Sequence, residues 1–194
     1  MTAPALNIPG TVNVGPVTLV RWEARLAEGL KAAIDESLDG IRAWLPWGGG
    51  EPSELPVIVE RVEKFRREFG LGGTWAFAIV DRDTGEVLGG IGLHGRIGPT
   101  AIEIGYWIRR GAAGRGIATS CVSALTAVAM AGGASHVEIH CDPRNTASAR
   151  VAAKAGYRHA VTRPRDYTAL GGEPRDTMVW VWPVDADPYV APPA

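Results

Sequence analysis

Cysteine is nearly absent. Cys121 and Cys141 are the only two in 194 residues, 20 positions apart and without Cys-x-x-Cys spacing. A disulfide-stapled secreted scaffold is thereby excluded, and both thiols are expected to be free, buried and kept in a reducing cytoplasm. No apolar run reaches the length that spans a bilayer. The first stretch, MTAPALNIPG, has neither the basic nor the apolar region of a signal peptide, so neither a membrane nor export is expected. A dominant sign of charge is lacking too: 20 Lys and Arg stand against 21 Asp and Glu, a net −1, interspersed along the chain. That balance speaks against a broad nucleic-acid surface, though not against a local basic patch. No Walker Lys-Ser/Thr pair is present, which removes the P-loop NTPases. No internal repeat is found, and no metal is expected.

What is present is an ordinary soluble composition, 46% hydrophobic and 21% charged, at a length suited to one domain with a sizeable core. VNVGPVTLVR reads as a first strand ending near Arg21. WEARLAEGLKAAIDESL has helical periodicity, with Leu26, Leu30, Ala33, Ile34 and Leu38 on one face. DGIRAWL predicts a short helix stopped by Pro46, and GGGEP a loop. Ser53 is a candidate cap for a helix through ELPVIVERVEKFRREFG that ends at Gly70. TWAFAIVDRDTGEVLGGIGLHGR predicts two strands around Asp83-Thr84-Gly85, and TAIEIGYWIRR another. HVEIHCD reads as a strand, NTASARVAAKAG as a helix ended by Gly156. Two last strands flank Gly171-Gly172. Residues 1–184 are read as one domain and 185–194, DADPYVAPPA, as a flexible tail. The order implies an α/β mixed sheet rather than a doubly wound parallel one.

Two glycine-rich stretches compete for attention. GGIGLHG contains Gly90-x-Gly92-x-x-Gly95, the dinucleotide fingerprint as a string. That fingerprint requires a helix to begin at the loop, and here Gly98-Pro99 and a further strand follow, so the match is set aside. The second stretch, RRGAAGRGIATSCVSALTAVAMAGG, does run from a loop into a helix, with Ile117, Leu125, Val128 and Ala129 on its apolar positions. Gly114 and Gly116 let backbone approach a bulky anion. The first N–H groups of the helix lack intrahelical partners and sit at the positive end of its dipole, a ready site for phosphate or pyrophosphate. A plain strand-to-helix turn is the alternative.

Gly114-Arg115-Gly116-Ile117-Ala118 resembles the acetyl-CoA pyrophosphate motif of the GNAT superfamily of acetyltransferases, Gln/Arg-x-x-Gly-x-Gly/Ala. Gly116 and Ala118 fill its last two places, and Ala113 stands where the family carries Gln or Arg. NTASARVAAKAGY resembles the family's Asn-x(10)-Gly-aromatic helix through Asn145, Gly156 and Tyr157, and EIGYWI resembles its substrate-side strand. The resemblance covers about residues 74–160. IRAWLPW and Asn145-Thr-Ala-Ser148 are similar to segments of the RimJ/RimL branch, the ribosomal-protein N-terminal acetyltransferases, which also includes antibiotic and metabolite acetyltransferases. The implied fold is α/β (α+β): a mixed, mostly antiparallel sheet of six to seven strands, flanked by helices, with splayed central strands. Acetyl-CoA is the implied cosubstrate. The implied acceptor is a primary amine, either a protein N-terminus or a small molecule, and a homodimer is left open. An acyl-CoA-binding regulatory module without turnover is the alternative function, suggested by Ala113 and Ala152; an interaction protein with a decayed site is a third.

The resemblance also implies a mechanism, direct acyl transfer in a ternary complex through a tetrahedral oxyanion. Backbone groups around Trp107, Ile108 and Arg109 would pair with the pantetheine amides, one N–H polarising the acetyl oxygen. Gly114, Arg115, Gly116, Ile117, Ala118 and Thr119 would hold the pyrophosphate. An amine must be neutral to attack: about a tenth of an α-amine of pKa ~8 is neutral at pH 7, and far less of a lysine near ~10.4. Glu103 and His140 are the two candidate bases, each of which is otherwise an ordinary ion-paired or hydrogen-bonded side chain. Many relatives place a leaving-group Tyr seven residues after the Asn; here that place is Ala152, and Ser148 is the candidate substitute. Asn145 is suited to a pantetheine amide, to capping its own helix, or to both. Trp47 is the expected wall of an acceptor site beside a mobile GGGEPS loop. Trp44 is a second candidate for that wall, with packing in the core the expected alternative.

Overall fold

The computed structural model describes residues 6–98 and 100–188; the last six residues of the expected tail lie outside them. Eight strands form one open sheet, in the order β1-β2-β3-β4-β5-β6-β8-β7. Every neighbouring pair is antiparallel except β5 and β6. The sheet has one or two strands more than the resemblance implied, because the first stretch is a hairpin rather than one strand. β1 (Thr11–Val14) and β2 (Val17–Arg21) turn on Gly15-Pro16, where Gly15 takes φ 55°. Pro16 has no N–H for a ladder, and a glycine in the left-handed region reverses the chain.

The helical region that follows breaks at Ser37. A 3₁₀ turn (Ala24–Leu26) leads into α1 (Ala27–Glu36), and α2 (Leu38–Trp44) starts anew. Leu26, Leu30, Ala33 and Ile34 are buried as the periodicity predicts, while Leu38 is half-buried at the start of α2. Pro46 ends α2 and opens a 3₁₀ turn over Pro46–Gly50. α3 (Leu55–Leu71) has Glu54, not Ser53, at its cap position and Pro56 in its first turn. The Ser53 hydroxyl is spent on the carbonyl of Gly50, 3.2 Å away. α3 runs past Gly70 and stops at Gly72, φ 79°.

β3 (Thr74–Asp81), β4 (Val87–His94) and β5 (Ala101–Ile108) form the expected meander. After them come α4 (Ile117–Ala131), β6 (His136–Cys141), α5 (Thr146–Lys154), β7 (Arg158–Thr168) and β8 (Pro174–Trp182). Strand alternation sorts the core into two layers. Phe77, Ile79, Ile91, Leu93, Ile104, Val137 and Ile139 meet Val122 and Leu125 of α4 on one face. Ala76 and Ala78 of β3 and Val87 meet Leu30, Ile34, Ile58 and Val62 of α1 and α3 on the other. The Gly90-x-Gly92 string lies in β4 and points to this second face. A Cβ on Gly90 would stand 2.9 Å from Trp107 Nε1, and one on Gly92 3.2 Å from His94 Nε2. These glycines make room for side chains rather than for a nucleotide.

Gly89 is the tightest of the set. Its φ is 152°, and a Cβ there would fall 2.2 Å from the carbonyl oxygen of Trp107. Gly89→Ala combines backbone strain with a clash against main chain that cannot swing aside. It is expected to cost about 2–3 kcal/mol, which for a domain of this size lowers the melting temperature by roughly 5–10 °C. A thermal melt of the variant beside the wild type checks this.

Candidate active site

The β5–β6 ladder is short. Ala101, Ile102 and Glu103 pair with His136, Val137 and Glu138, and there the pairing ends, although β5 continues to Ile108 and β6 to Cys141. Beyond Glu103 the strands part around a cleft of about 1250 Å³. Which backbone groups line the gap follows from the β4–β5 register. Arg109 N–H donates to the carbonyl of Leu88 at 2.7 Å, and Trp107 and Gly105 stand opposite Gly90 and Gly92. In-plane alternation then turns the main-chain groups of Gly105, Trp107 and Arg109 toward β4, and those of Ile104, Tyr106 and Ile108 toward the gap. Of the three residues expected to offer backbone to a pantetheine, Ile108 turns its main-chain groups to the gap, whereas those of Trp107 and Arg109 face β4. Trp107 contributes its side chain to the cleft. The Arg109 side chain turns away to the carboxylates of Glu36 and Glu86.

The glycine-rich loop closes one end of the gap. Gly114 (φ 77°) and Gly116 (φ 79°) both sit in the left-handed region, and Gly116 is the cap residue of α4. Ser120 N–H is the first to bond back, to Gly116 O at 3.1 Å. The N–H groups of Ile117, Ala118 and Thr119 thus precede the helical ladder at the positive end of the dipole. Gly114, Gly116, Ile117, Ala118 and Thr119 line the cleft. Arg115 instead lies near Asp81. The N–H groups of Thr84 and Asp83 hold that carboxyl below its usual range, and the Arg115 charge adds to their effect. The back of the loop is pinned from the α1–α2 break: Gly111 N–H donates to Glu36 Oε1 at 2.7 Å and Arg110 N–H to Ser37 Oγ at 3.1 Å.

The two faces of the sheet carry different chemistry. On the α4–α5 face, Asn145 Oδ1 accepts from Ser148 N–H at 3.1 Å and so caps α5, while also lining the cleft. Ser148 Oγ lies 2.9 Å from the hydroxyl of Tyr106, which is also within 3.2 Å of the Ser148 carbonyl. Burial pushes the Tyr106 phenol up to about 12, against the opposing effect of its bond to Ser148. Ala152 is fully buried, and the phenol at this end of the cleft is Tyr106, which comes from β5 and not from α5. A search along α5 misses Tyr106. Its one signal in the sequence is alternation in EIGYWI, which puts it on the face of Ile104 and Ile108.

On the opposite face, Glu103 is held by a two-pronged guanidinium, Arg96 Nε to Oε2 at 2.8 Å and Nη2 to Oε1 at 2.7 Å. Burial alone would raise this carboxyl; the bonds to Arg96 and the nearby His140 outweigh it and keep it below the usual range. His140 lines the cleft, with Nε2 2.6 Å from Glu138 Oε2 and Nδ1 3.9 Å from Glu103 Oε2. Trp47, 41% exposed, stands edge-on to Trp107 at 6.2 Å, with the Arg61 guanidinium 5.7 Å from its ring. Trp44 is 36% exposed and lines the same cleft, so the core position considered for it from sequence is not where it lies.

The loop after Trp47 also differs from expectation: it is anchored, not loose. Glu51 is 3% exposed, takes Ser53 N–H at 2.8 Å and pairs with Arg61 Nη1, while Arg42 Nη2 bonds its carbonyl. Gly48 and Gly49 serve close packing. A Cβ on Gly48 would stand 2.9 Å from Ile41 O, and one on Gly49 2.9 Å from Leu170 Cδ2 at the β7–β8 turn.

A parallel pair that splits beside a glycine-capped helix, inside an otherwise antiparallel sheet, is the architecture of an acyl-CoA transferase. The profile of the acetyltransferase (GNAT) domain matches residues 17–158, and the chain belongs to that family. No curated protein sequence matches it significantly. Among solved structures it is similar to the microcin C7 self-immunity acetyltransferase MccE in complex with acetyl-CoA and AMP. That match has TM-score 0.81 and 18% identity, over 91% of this chain and 97% of that one. It is equally similar to RimL, a ribosomal L7/L12 α-N-protein acetyltransferase in complex with coenzyme A (TM-score 0.81, 20% identity, 91% and 99%). A Salmonella typhimurium acetyltransferase that modifies the N-terminal serine of L7/L12 also matches (TM-score 0.75, 19% identity, 90% and 96%). Among the described residues no His, Cys, Asp and Glu are grouped to hold a metal ion, and no helix is long and apolar enough to cross a membrane.

Two expectations follow from this geometry. Gly116→Asp places a carboxylate where the helix terminus is bare, in a backbone conformation that costs a non-glycine residue about 1–2 kcal/mol. Acetyl-CoA binding by calorimetry should fall below detection while circular dichroism stays native; unchanged affinity would remove the loop from the cofactor site. The second concerns His94, which burial pushes down to about 4, with the Arg96 charge adding to the effect and Glu103 opposing it. In the unfolded chain an imidazole titrates near ~6.5. Between those values only the unfolded state binds the proton. Stability from this residue is complete above the higher value and is lost as the pH falls toward the lower, by up to about 3 kcal/mol. His94→Gln should flatten the acid side of the stability curve in denaturant titrations between pH 7 and 4; curves parallel to the wild type would exclude His94 as the cause.

Proposed function

We propose that the protein transfers the acetyl group of acetyl-CoA to a primary amine by direct attack in a ternary complex. The observation that carries this reading is the end of the β5–β6 ladder at Glu103 and Glu138. It leaves the backbone of Ile104, Tyr106 and Ile108 free for the pantetheine amides. It also joins the two faces of the sheet, so that donor and acceptor meet through the gap. The N–H groups of Ile117, Ala118 and Thr119 hold the pyrophosphate, with Asn145 and Ser148 beside the pantetheine. Fixed backbone donors need no reorganisation as charge develops on the acetyl oxygen, and holding both substrates together lowers the entropic barrier.

The acceptor enters on the face of Trp44, Trp47 and Trp107. Of the two candidate bases, His140 is favoured, because both oxygens of Glu103 are engaged by Arg96 and its carboxyl is held in the weakly basic range. Glu103 then orients and charges the site. Ser148, with Tyr106 behind it, faces the departing sulfur. The neighbours that act on ribosomal proteins make a protein N-terminus the first acceptor to try; amino acids, polyamines and aminoglycosides are the small-molecule arm. Buried free thiols at Cys121 and Cys141 suit a cytoplasmic setting. Release of free CoA in the presence of this amine panel tests the reading. Tight acetyl-CoA binding with no release for any amine would favour a regulatory module instead.

Two variants separate the roles. Trp47→Ala should raise KM for the acceptor roughly tenfold, the equivalent of about 1.4 kcal/mol of contact, and leave acetyl-CoA affinity nearly unchanged. A variant that unfolds while the surviving fraction shows normal acceptor kinetics would make Trp47 a packing residue. Ser148→Ala should lower kcat by roughly a hundredfold and weaken acetyl-CoA binding much less. A loss confined to binding would make Ser148 a pantetheine contact.

A further inference from the structure

We propose that Glu138 is a positioning residue of the acyl transfer, whose carboxylate holds the His140 imidazole with Nε2 protonated and Nδ1 bare toward the acceptor face. The proposal rests on the reading of His140 as the group that takes the amine proton, and it adds the residue that makes that base competent.

Glu138 is fully buried, yet it is a carboxylate in the middle of a core strand. Burying that group is costly unless it is paired and hydrogen-bonded. Its two oxygens are placed on two imidazoles of the same strand face. Oε2 lies 2.6 Å from Nε2 of His140, and Oε1 lies 3.1 Å from Nε2 of His136. A carboxylate only accepts, so both rings present an Nε2–H to it. The far end of the chain agrees. Thr100 Oγ1 donates to Ser135 Oγ at 2.8 Å, and Ser135 Oγ lies 3.2 Å from Nδ1 of His136, so the serine hydroxyl donates to a lone pair there. With that tautomer the hydrogen bonds from Thr100 to His140 agree with one another. The chain leaves one lone pair over, Nδ1 of His140, in the lining of the cleft.

Several charges surround that nitrogen. Glu138 and His136 lie on its own strand, and Asp142, two residues on in the same cleft lining, is engaged by Arg175 of β8 and by the Tyr167 hydroxyl of β7. Glu103 on β5 has Oε2 3.9 Å from it, and Arg96 occupies Glu103. His94 stands beyond Glu103 on β4. The β8 residues in register with His140 and Glu138 are Val179 and Val181. When an acceptor ammonium gives its proton to Nδ1, the imidazolium forms between two carboxylates and is stabilised by both. The freed amine pair then makes the N–C bond to the acetyl carbon. The C–S bond breaks with its electrons on sulfur, and the second amine proton passes to that thiolate as the amide forms, giving the free CoA thiol. The opposite tautomer, with hydrogen on Nδ1, has no lone pair to offer and cannot take that first proton.

The test uses full-length protein labelled with ¹⁵N, and imidazole proton–nitrogen correlation spectra together with acetyl-transfer kinetics. Wild-type His140 should be the Nε2–H tautomer. In Glu138→Gln the amide can present an N–H to Nε2, so His140 should shift toward Nδ1–H. The same variant should lose roughly tenfold or more in kcat, with acetyl-CoA affinity within about twofold of wild type. Removing the neighbouring negative charge should also move the acid limb of its kcat/KM profile to lower pH, which a loss of packing alone would not do. Glu138→Asp, which keeps the charge, should recover part of the rate. His140→Gln separates the two readings. If it keeps wild-type kcat, His140 is not the base and the proposal falls with that reading. If it loses rate while Glu138→Gln keeps both rate and tautomer, the base stands and Glu138 is overturned. Should Glu138→Gln fail to fold, the wild-type spectrum still decides: an Nδ1–H tautomer in the free protein overturns the proposal.

Discussion

A β-ladder that stops after three residue pairs governs the rest of this molecule. Strand edges are full of unpaired N–H and C=O groups, and a folded domain ordinarily pairs, covers or charges them. Here two strands from the middle of the sheet are joined from Ala101 to Glu103 and then diverge, so the unsatisfied edge lies inside the protein and not at its rim. An extended ligand with amide groups can complete that edge without any rearrangement of the fold. The gap also penetrates the sheet that separates the two halves of the core, so the cleft is lined from both faces.

Each face supports its share with side chains that look incidental until placed. The alternation of β5 sends Tyr106 toward α5, where it holds Ser148, and sends Glu103 and Trp107 toward the acceptor side. β6 does the same with Ile139 and His140. Glycines in β4 leave the acceptor face low enough for the rings of Trp107 and His94 to lie across it. The first helices are tied to both the glycine-rich loop and the tryptophan side of the cleft. Glu36 and Ser37, at the break between α1 and α2, brace the loop that precedes α4, and α2 carries Trp44 seven residues further on. Charged residues near the cleft are used for placement: Arg96 on Glu103, Arg61 on Glu51, Glu36 under Gly111.

Much of this was readable in advance because the governing patterns are local. Period-two and period-3.6 burial identified β3 to β8 and α1, α4 and α5, and the left-handed glycines before Ile117 announced a helix terminus able to take an anion. The family followed from residues close together in sequence, Gly114 to Ala118 and Asn145 to Tyr157. Where local reading failed, a distant contact had decided the matter. VNVGPVTLVR reads as one strand and proved to be a hairpin turning on Gly15-Pro16. Ser53 had the right chemistry for a cap, but Gly50 took its hydroxyl. Three consecutive glycines suggested looseness, and Glu51 with Arg61 and Arg42 made the segment rigid.

The sequence by itself determined the layers, the glycine-led helix terminus with bare N–H groups and the supply of candidate acids and bases, because side-chain periodicity and backbone φ are properties of neighbours along the chain. It could not say that Arg96 would occupy Glu103, that a phenol 42 residues before Ser148 would bond its hydroxyl, or that Trp44 would face a cleft. Those outcomes depend on which strand pairs with which, and on where a ladder ends. A contact between residues far apart in sequence exists only once the sheet has closed around it, so only the tertiary structure brought Glu103 and His140 to the same cleft.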